Sequence, residues 1–437
     1  MSPSFDIVIV GAGAAGLAAA AELGRAGRSV LVLEARARIG GRIWSLDEPG
    51  LPVAVELGAE FIHGRPAPTF SLLKKAGLAA VDSPRVRFVA RDGRLEPRSD
   101  GPYTEIRRAL KRELGALRSR DISVLALLER LRRQGLPEET AMFARRMVEG
   151  YEAADPARAS ARAIAEDWSA GADGHFRPAG GYGAMMRWLL GECEGTGVEL
   201  RLGSVVRAVR WKRGSVEVAG SSRRARFQAR APRAIITLPL GVLQAPAGAP
   251  GAVRFTPALR EKRQALEGLR CGAVVKAALR LRAAFWEDLD GGRYRDASFF
   301  HDPQAAFPTF WTALPERTPL MIAWAGGPKA RRLARASDPE MRCEAVASLQ
   351  SVFGARAQVA RRLDAFRVHD WQRDPYARGA YSYVAVGGEG AREALAASLR
   401  GTLYFAGEAA DFEGEHGTVA GALRSGKRAA RQVIEDD

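Results

Sequence analysis

Three glycines, one acid and a solitary lysine carry most of the chemistry legible in this chain. Gly11, Gly13 and Gly16 stand as G-x-G-x-x-G in DIVIVGAGAAGLAAAAELGRAGRSVLVLEAR, and Glu34 follows the second apolar run. In that pattern the first glycine allows a tight turn and the second lets backbone approach a pyrophosphate. The third lets helix pack on strand, while the helix N-terminus faces the anion and the acid accepts from ribose hydroxyls. The fingerprint serves NAD and FAD equally. The lysine is Lys276, in CGAVVKAALRLRAAFW. Residues two apart on a strand share a face, so spacing alone aligns Lys276 with Arg280 and Arg282 and turns Val275, Ala277, Leu279 and Leu281 to a core. That describes a half-buried strand with a basic, wet face.

The elements that must position these residues follow from pattern. Ile7 to Val10 is short, continuous and β-branched, as a buried parallel strand should be. Ala-rich sequence through Leu23 favours a helix, and Ser29 to Leu33 is a second buried strand that ends on Glu34. Farther on, the pattern predicts helices over 104–118, 121–134 and 138–150. SPRVRFVARDGRLEP predicts a hairpin with Asp92-Gly93 at its turn. Pro178 to Gly183 and Pro246 to Pro250 read as boundary segments, and no internal repeat is found.

The totals narrow the class. A chain of 437 residues exceeds what one hydrophobic core usually serves, and its hydrophobic fraction of 47% is ordinary for a globular protein. The formal charge of +16 raises the question of a nucleic-acid or membrane partner. The basic residues, however, are spread among Ala, Leu and Glu rather than massed, and no nucleic-acid motif is present, so neither partner is expected. Cys193, Cys271 and Cys343 are too scattered for a disulfide framework or a metal cluster, which fits a reducing, cytoplasmic compartment. MSPSFDIVIVG enters a strand at once, without the layout of a signal peptide. No window approaches the roughly 20 apolar residues of a spanning helix.

Beyond Glu34, LEARARIGGRIWS places Arg36, Gly40, Gly41 and Arg42 in an E-x-x-x-x-x-G-G-R extension that resembles the flavin amine oxidase superfamily. Five further stretches are similar to that family in order: VELGAEFIHG, RLGSVVRAVRW, AIITLPLGVL, HDWQRDPYARGAYSYV and GTLYFAGEAADFEGEHGTVAGALRSGKRAA. VVKAALRLRAAFW resembles the family strand K-x-x-L-x-F/L-x-x-x-F-W. Residues 67 to 180 match poorly, as a substrate domain would.

The resemblance implies an α/β fold: a discontinuous, Rossmann-like FAD-binding domain (GR2 type) over 1–66, 180–255 and 385–437. An α+β substrate domain on a mixed sheet takes 67–179 and 256–384. It implies FAD, held without a covalent bond because Ala380 stands where some relatives attach flavin through cysteine. Ala15, Ala35 and Arg36 fall with the glycine fingerprint, Glu34 and the Gly40-Gly41-Arg42 extension along the dinucleotide. Gly58, Ala59, Glu60 and Phe61 fall beside the flavin ring, and Val206 offers its backbone to the adenine. Gly407 and Glu408 approach the ribityl or phosphate region, and Thr418 and Val419 open a helix, Gly417 to Ala430, aimed at the pyrimidine.

For the chemistry, the resemblance places Lys276 at flavin N5, where it holds a water. Tyr381 is one of two rings in front of the flavin, Trp371 flanks it, and His63 stands on the cavity wall. Glu415 or Thr418 falls where relatives carry the second ring, so Phe412 is the expected substitute. The implied reaction takes hydride from an amine α-carbon to N5. The imine then hydrolyses, and O2 reoxidises the flavin with release of H2O2. The implied substrates are a small amine and O2. An L-amino-acid oxidase or another desaturating flavin oxidase is the alternative, and a non-catalytic flavin module that binds protein or chromatin is a third.

Overall fold

The computed structural model describes residues 5–91, 93–170, 174–223 and 225–436. At its centre is a parallel five-stranded sheet in the order Val198–Arg201, Val30–Leu33, Ile7–Val10, Arg233–Ile236, Leu403–Phe405. The order departs far from chain order because the last two strands arrive from distant sequence. Ile7 to Val10 is buried on both faces, which explains its continuous apolar run. Ile7 and Ile9 pack with the helices Ala14–Arg25, Gly181–Gly191 and Val419–Glu435. Val8 and Val10 face a smaller sheet built from Arg226–Ala231, Ser215–Ser221, Val205–Lys212 and Arg254–Thr256.

A mixed seven-stranded sheet forms the second half of the molecule. Its order is Leu363–Asp370, Val274–Leu281, Leu320–Gly326, Thr309–Thr312, Phe299–His301, Arg87–Arg91, Arg94–Pro97. One neighbouring pair, Phe299–His301 with Arg87–Arg91, is parallel, and the others are antiparallel. Helices Gly101–Ser119, Val124–Arg133, Glu138–Gly150 and Ala161–Ala170 form their own core beside it. The three helices expected from sequence are present with ends shifted by up to three residues. The hairpin at 87–97 is present too, while Asp92 of its turn lies outside the described residues. The C-terminal helix begins at Val419 and runs on to Glu435, five residues past the expected end.

The strand carrying Lys276 corrects the spacing argument. Val275, Ala277, Leu279 and Leu281 do face a core. The opposite face is covered rather than wet. Ala278 packs there with Val55 and Leu57, and Lys276 is 1% exposed. Only toward the strand's end does the basic face meet solvent, where Arg280 pairs with Asp364 at 2.9 Å and Arg282 is exposed.

Candidate flavin and substrate site

A single cavity of about 1640 Å³ runs between the two sheets. That exceeds the roughly 300–1,000 Å³ typical of a site for one drug-sized ligand, and it suits a dinucleotide with a small molecule beside it. Every site residue expected from sequence borders it except Gly16 and Phe412.

The glycine loop forms one end. A Cβ on Gly16 would lie 1.9 Å from the Gly11 carbonyl oxygen, so Gly16 sets how closely helix and strand pack rather than touching a ligand. Gly13 caps the helix Ala14–Arg25 with no side-chain hydrogen bond, leaving its first backbone N–H groups to whatever occupies the cavity. Gly40, at φ +96, turns the following extension back so that Gly13 and Gly40 form a bridge. Glu34 is 4% exposed and accepts from the backbone N–H of Ala12 at 2.8 Å and of Arg36 at 2.9 Å. It therefore holds the loop, and it borders the cavity. The Val205–Lys212 ladder slips register between Val206 and Ala208, where Val206 borders the cavity. An uncapped helix start, a glycine cradle and a buried acid are the donor and acceptor set that an adenine dinucleotide requires, so the residues fit FAD.

If this cavity-lining acid also accepts from the ribose hydroxyls, Glu34→Ala is expected to weaken FAD binding by about 1.5–3 kcal/mol, the range for a hydrogen bond to a charged group. A titration of the apoprotein that gives an unchanged Kd would remove Glu34 from the site.

Three ionic clusters shape the middle. Arg42 donates to Glu408 at 2.7 Å and to the carbonyl of Ala380, while Glu408 also accepts from the Ser382 hydroxyl at 2.7 Å. Burial would raise the Glu408 carboxyl, but Arg42 and Ser382 hold it below the usual carboxylate range. Arg36 donates to both oxygens of Asp374 at 2.6 Å. Lys276 donates to Glu60 at 2.7 Å and to the Gly58 carbonyl at 3.0 Å. Glu60 further accepts from Trp311 at 2.9 Å and Arg177 at 3.0 Å. Burial works against the Glu60 charge, and Lys276 and Arg177 overcome it, holding the carboxyl below its ordinary value. An ammonium has three donors, and two are used within the protein.

The remaining wall is aromatic. Trp371 is 3% exposed and donates to the Leu57 carbonyl at 3.0 Å. Tyr381 donates to the backbone carbonyl of Tyr151 at 2.5 Å. Phe412, the second ring expected beside it, does not border the cavity and lies under the Arg428 guanidinium at 5.2 Å. Tyr151 borders the cavity, and it is its backbone carbonyl that Tyr381 meets. It lies in the poorly matching middle of the chain, where no motif marks it. His63 meets His175 through their Nδ1 atoms at 3.0 Å and packs 5.2 Å from the Tyr151 ring. Burial and His175 lower its pKa to about 3, so it is neutral.

Sequence reasoning also missed Glu152, Trp168, Arg177 and Trp311. Glu152 borders the cavity and accepts from Trp168 Nε1 at 2.8 Å. Burial raises its carboxyl to about 7, with Asp167 adding to the shift. Nothing in the sequence distinguishes it from its neighbouring acids, since its environment comes from the following helix, Ala161–Ala170, folding back on it and from His416, which is distant in sequence.

The comparisons agree with this geometry. The family model for flavin-containing amine oxidoreductases matches residues 14–434. The chain belongs to that family, and its cofactor is FAD. Lysine-specific histone demethylase 2 of Homo sapiens is 27% identical over 98% of this chain. Probable polyamine oxidase 4 of Arabidopsis thaliana is 28% identical, with 98% of this chain and 88% of the relative covered. The chain spans about half the length of the human demethylase, 53%. Among solved structures, a putrescine oxidase bound to putrescine superposes with a TM-score of 0.81 at 22% identity, over 99% of both chains. Cyclohexylamine oxidase from Brevibacterium oxydans IH-35A gives 0.79 at 23% identity, again over 99% of both chains. At those identities the likeness is one of fold. Among the described residues no helix is long and apolar enough to cross a membrane, and no group of His, Cys, Asp and Glu is placed to hold a metal ion.

Proposed function

We propose that the protein is an FAD-dependent amine oxidase that uses O2 and releases H2O2. The observation that carries this reading is the continuity of one cavity from the glycine cradle to an aromatic wall that ends on a carboxylate of raised proton affinity. When bound, FAD supplies the acceptor for hydride from the amine α-carbon and passes the electrons to O2. The dinucleotide is held by the Gly11–Gly16 turn, Glu34, Arg36, Arg42 and the start of the helix Val419–Glu435. Thr418 caps that helix by accepting from the Gly421 N–H.

The protein's own work is to receive an ammonium, take its proton and keep the site dry. Glu152 is the group for the proton, because a carboxyl titrating near 7 accepts one at neutral pH without holding the product cation tightly. Tyr381 and Tyr151 present ring faces that hold an amine without a carboxylate's pull. Lys276, kept in place by Glu60 and the Gly58 carbonyl, has one donor left for a water in the cavity.

The test is peroxide release by purified yellow protein from a panel of alkylamines, diamines, polyamines and amino acids. Turnover of none of them would sink the reading. Ala380, 8% exposed beside Arg42, offers no nucleophile to the flavin. Acid or heat denaturation is therefore expected to release intact FAD into the supernatant, and flavin that stays with the precipitated chain would contradict it.

A further inference from the structure

We propose that the cavity contains an oxyanion-binding subsite formed by Arg85, Arg87, Arg98 and Arg146, which takes the carboxylate or phosphate at the far end of an amine substrate. The inference rests on the amine-oxidase reading and specifies its substrate class. All four arginines border the cavity. They come from the hairpin region 85–98 and the helix Glu138–Gly150, so the folded chain gathers cations that are apart in sequence.

Their own counter-charges are insufficient. The closest carboxylate oxygen to Arg87 is that of Asp100, at 3.8 Å. Glu139 and Glu149, the other acids nearby, are engaged by Arg91 and Arg145. Among the described residues the side chains of Arg85 and Arg146 make no hydrogen bond, and the buried Nε of Arg98 has no partner. Arg98 donates instead to His301 at 3.3 Å, and burial with these arginines holds that histidine neutral. Burial, with repulsion from neighbouring arginines (Arg91 in the case of Arg146), lowers the proton affinity of Arg87, Arg98 and Arg146. A partly buried cluster of like charges with a donor left over is relieved by a bidentate oxyanion.

The approach to the cluster is apolar. The Arg87 guanidinium lies 5.8 Å from the Phe299 ring, and Phe299 lies 6.2 Å from Trp311. Lys276 Nζ lies 5.2 Å from Trp311. The arginines thus stand at one end of an aromatic wall whose other end, at Lys276, is the proposed flavin end, where Tyr381, Tyr151 and Glu152 receive the amine. The matching ligand has an amine, an apolar linker and a terminal oxyanion.

The test uses the holoprotein and redox-inert probes, so that it does not depend on turnover. Hexanoate, hexyl phosphate and hexane-1-sulfonamide are titrated by calorimetry and by the change in flavin absorbance. Binding of hexanoate or hexyl phosphate, at least tenfold tighter than the neutral sulfonamide, supports the subsite, and the tighter of the two identifies the oxyanion. Arg98→Met and Arg146→Met should each weaken that binding at least tenfold, while Arg146→Lys retains part of it. FAD content and Tm show that the variants fold. Equal affinity for the neutral probe, or unchanged affinity in both Met variants, overturns the subsite. In turnover, 6-aminohexanoate or 6-aminohexyl phosphate should exceed hexylamine in kcat/KM at least tenfold. Peroxide from hexylamine without that preference overturns the subsite and leaves the amine-oxidase reading standing. No peroxide from any amine removes that reading, while the binding arms still decide the subsite.

Discussion

Glu152→Gln is expected to lower turnover of an amine by about 10²–10⁴, the usual contribution of a positioned general base, while making the folded protein more stable above neutral pH. The two effects share one cause. Burial raises the Glu152 carboxyl to about 7, whereas in the unfolded chain it titrates near the ordinary value of about 4.3. Between those values the folded state holds a proton that the unfolded state has released, so stability falls as pH rises through that window. The loss is absent below the unfolded pKa and complete above the folded one. It amounts to about 2–3 kcal/mol for one such group after allowance for its partial exposure. Gln keeps the oxygen that accepts from Trp168 and cannot ionise, so it removes the penalty together with the base. Two measurements check this: kcat/KM against pH, which should climb through about pH 7 in wild type and lose that limb in the variant, and Tm at pH 5 and pH 8. A variant of full activity, or one less stable than wild type at pH 8, would remove Glu152 from its role.

What was readable in the sequence, and what was not, divides along a physical line. The dinucleotide end was legible because its parts are local. Gly11, Gly13, Gly16 and Glu34 lie on consecutive elements, and backbone geometry dictates their types at fixed spacing. The strand of Lys276 was half legible. Its period-2 pattern placed Val275, Ala277, Leu279 and Leu281 on a core correctly. Periodicity cannot say whether the other face meets water or another segment, and here the segment around Val55 to Glu60 covers it. The second ring failed for a related reason. Phe412 was nearest in sequence to the expected position, but it follows the turn after Glu408 outward, and Tyr151 reaches the cavity from the helical region. Glu152 and the arginine cluster were illegible because each is defined by neighbours from three or more elements. A raised carboxyl or an unmatched guanidinium is a property of that assembly, not of a local pattern.

Lys276→Met is expected to slow reoxidation of the reduced protein by O2 by at least tenfold and to cost about 2–4 kcal/mol of stability. Both figures follow from where the ammonium sits. Removing one partner of a buried ion pair typically costs about 3–5 kcal/mol, because the other charge is left without compensation. Here Arg177 and Trp311 still donate to Glu60, which moderates the loss. A wet-face lysine would cost about 0.5 kcal/mol or less, so stability alone separates the two readings of this strand. The kinetic effect rests on the proposed role, in which the ammonium supplies positive charge and its free donor orders a water for O2 reduction; removing one such preorganised donor elsewhere costs about 10²–10³ in rate. The reductive half-reaction should change less, since the amine is received by Tyr381, Tyr151 and Glu152 rather than by Lys276. Glu60→Gln combined with Lys276→Met removes this pair but leaves the Arg177 guanidinium without its carboxylate, so it should not restore reoxidation, and a double-mutant cycle reads the coupling of the two residues directly. Stopped-flow measurement of each half-reaction, with Tm for all three variants, decides the matter: wild-type reoxidation in a folded, FAD-loaded Lys276→Met protein would reduce the lysine to a structural counter-ion of Glu60.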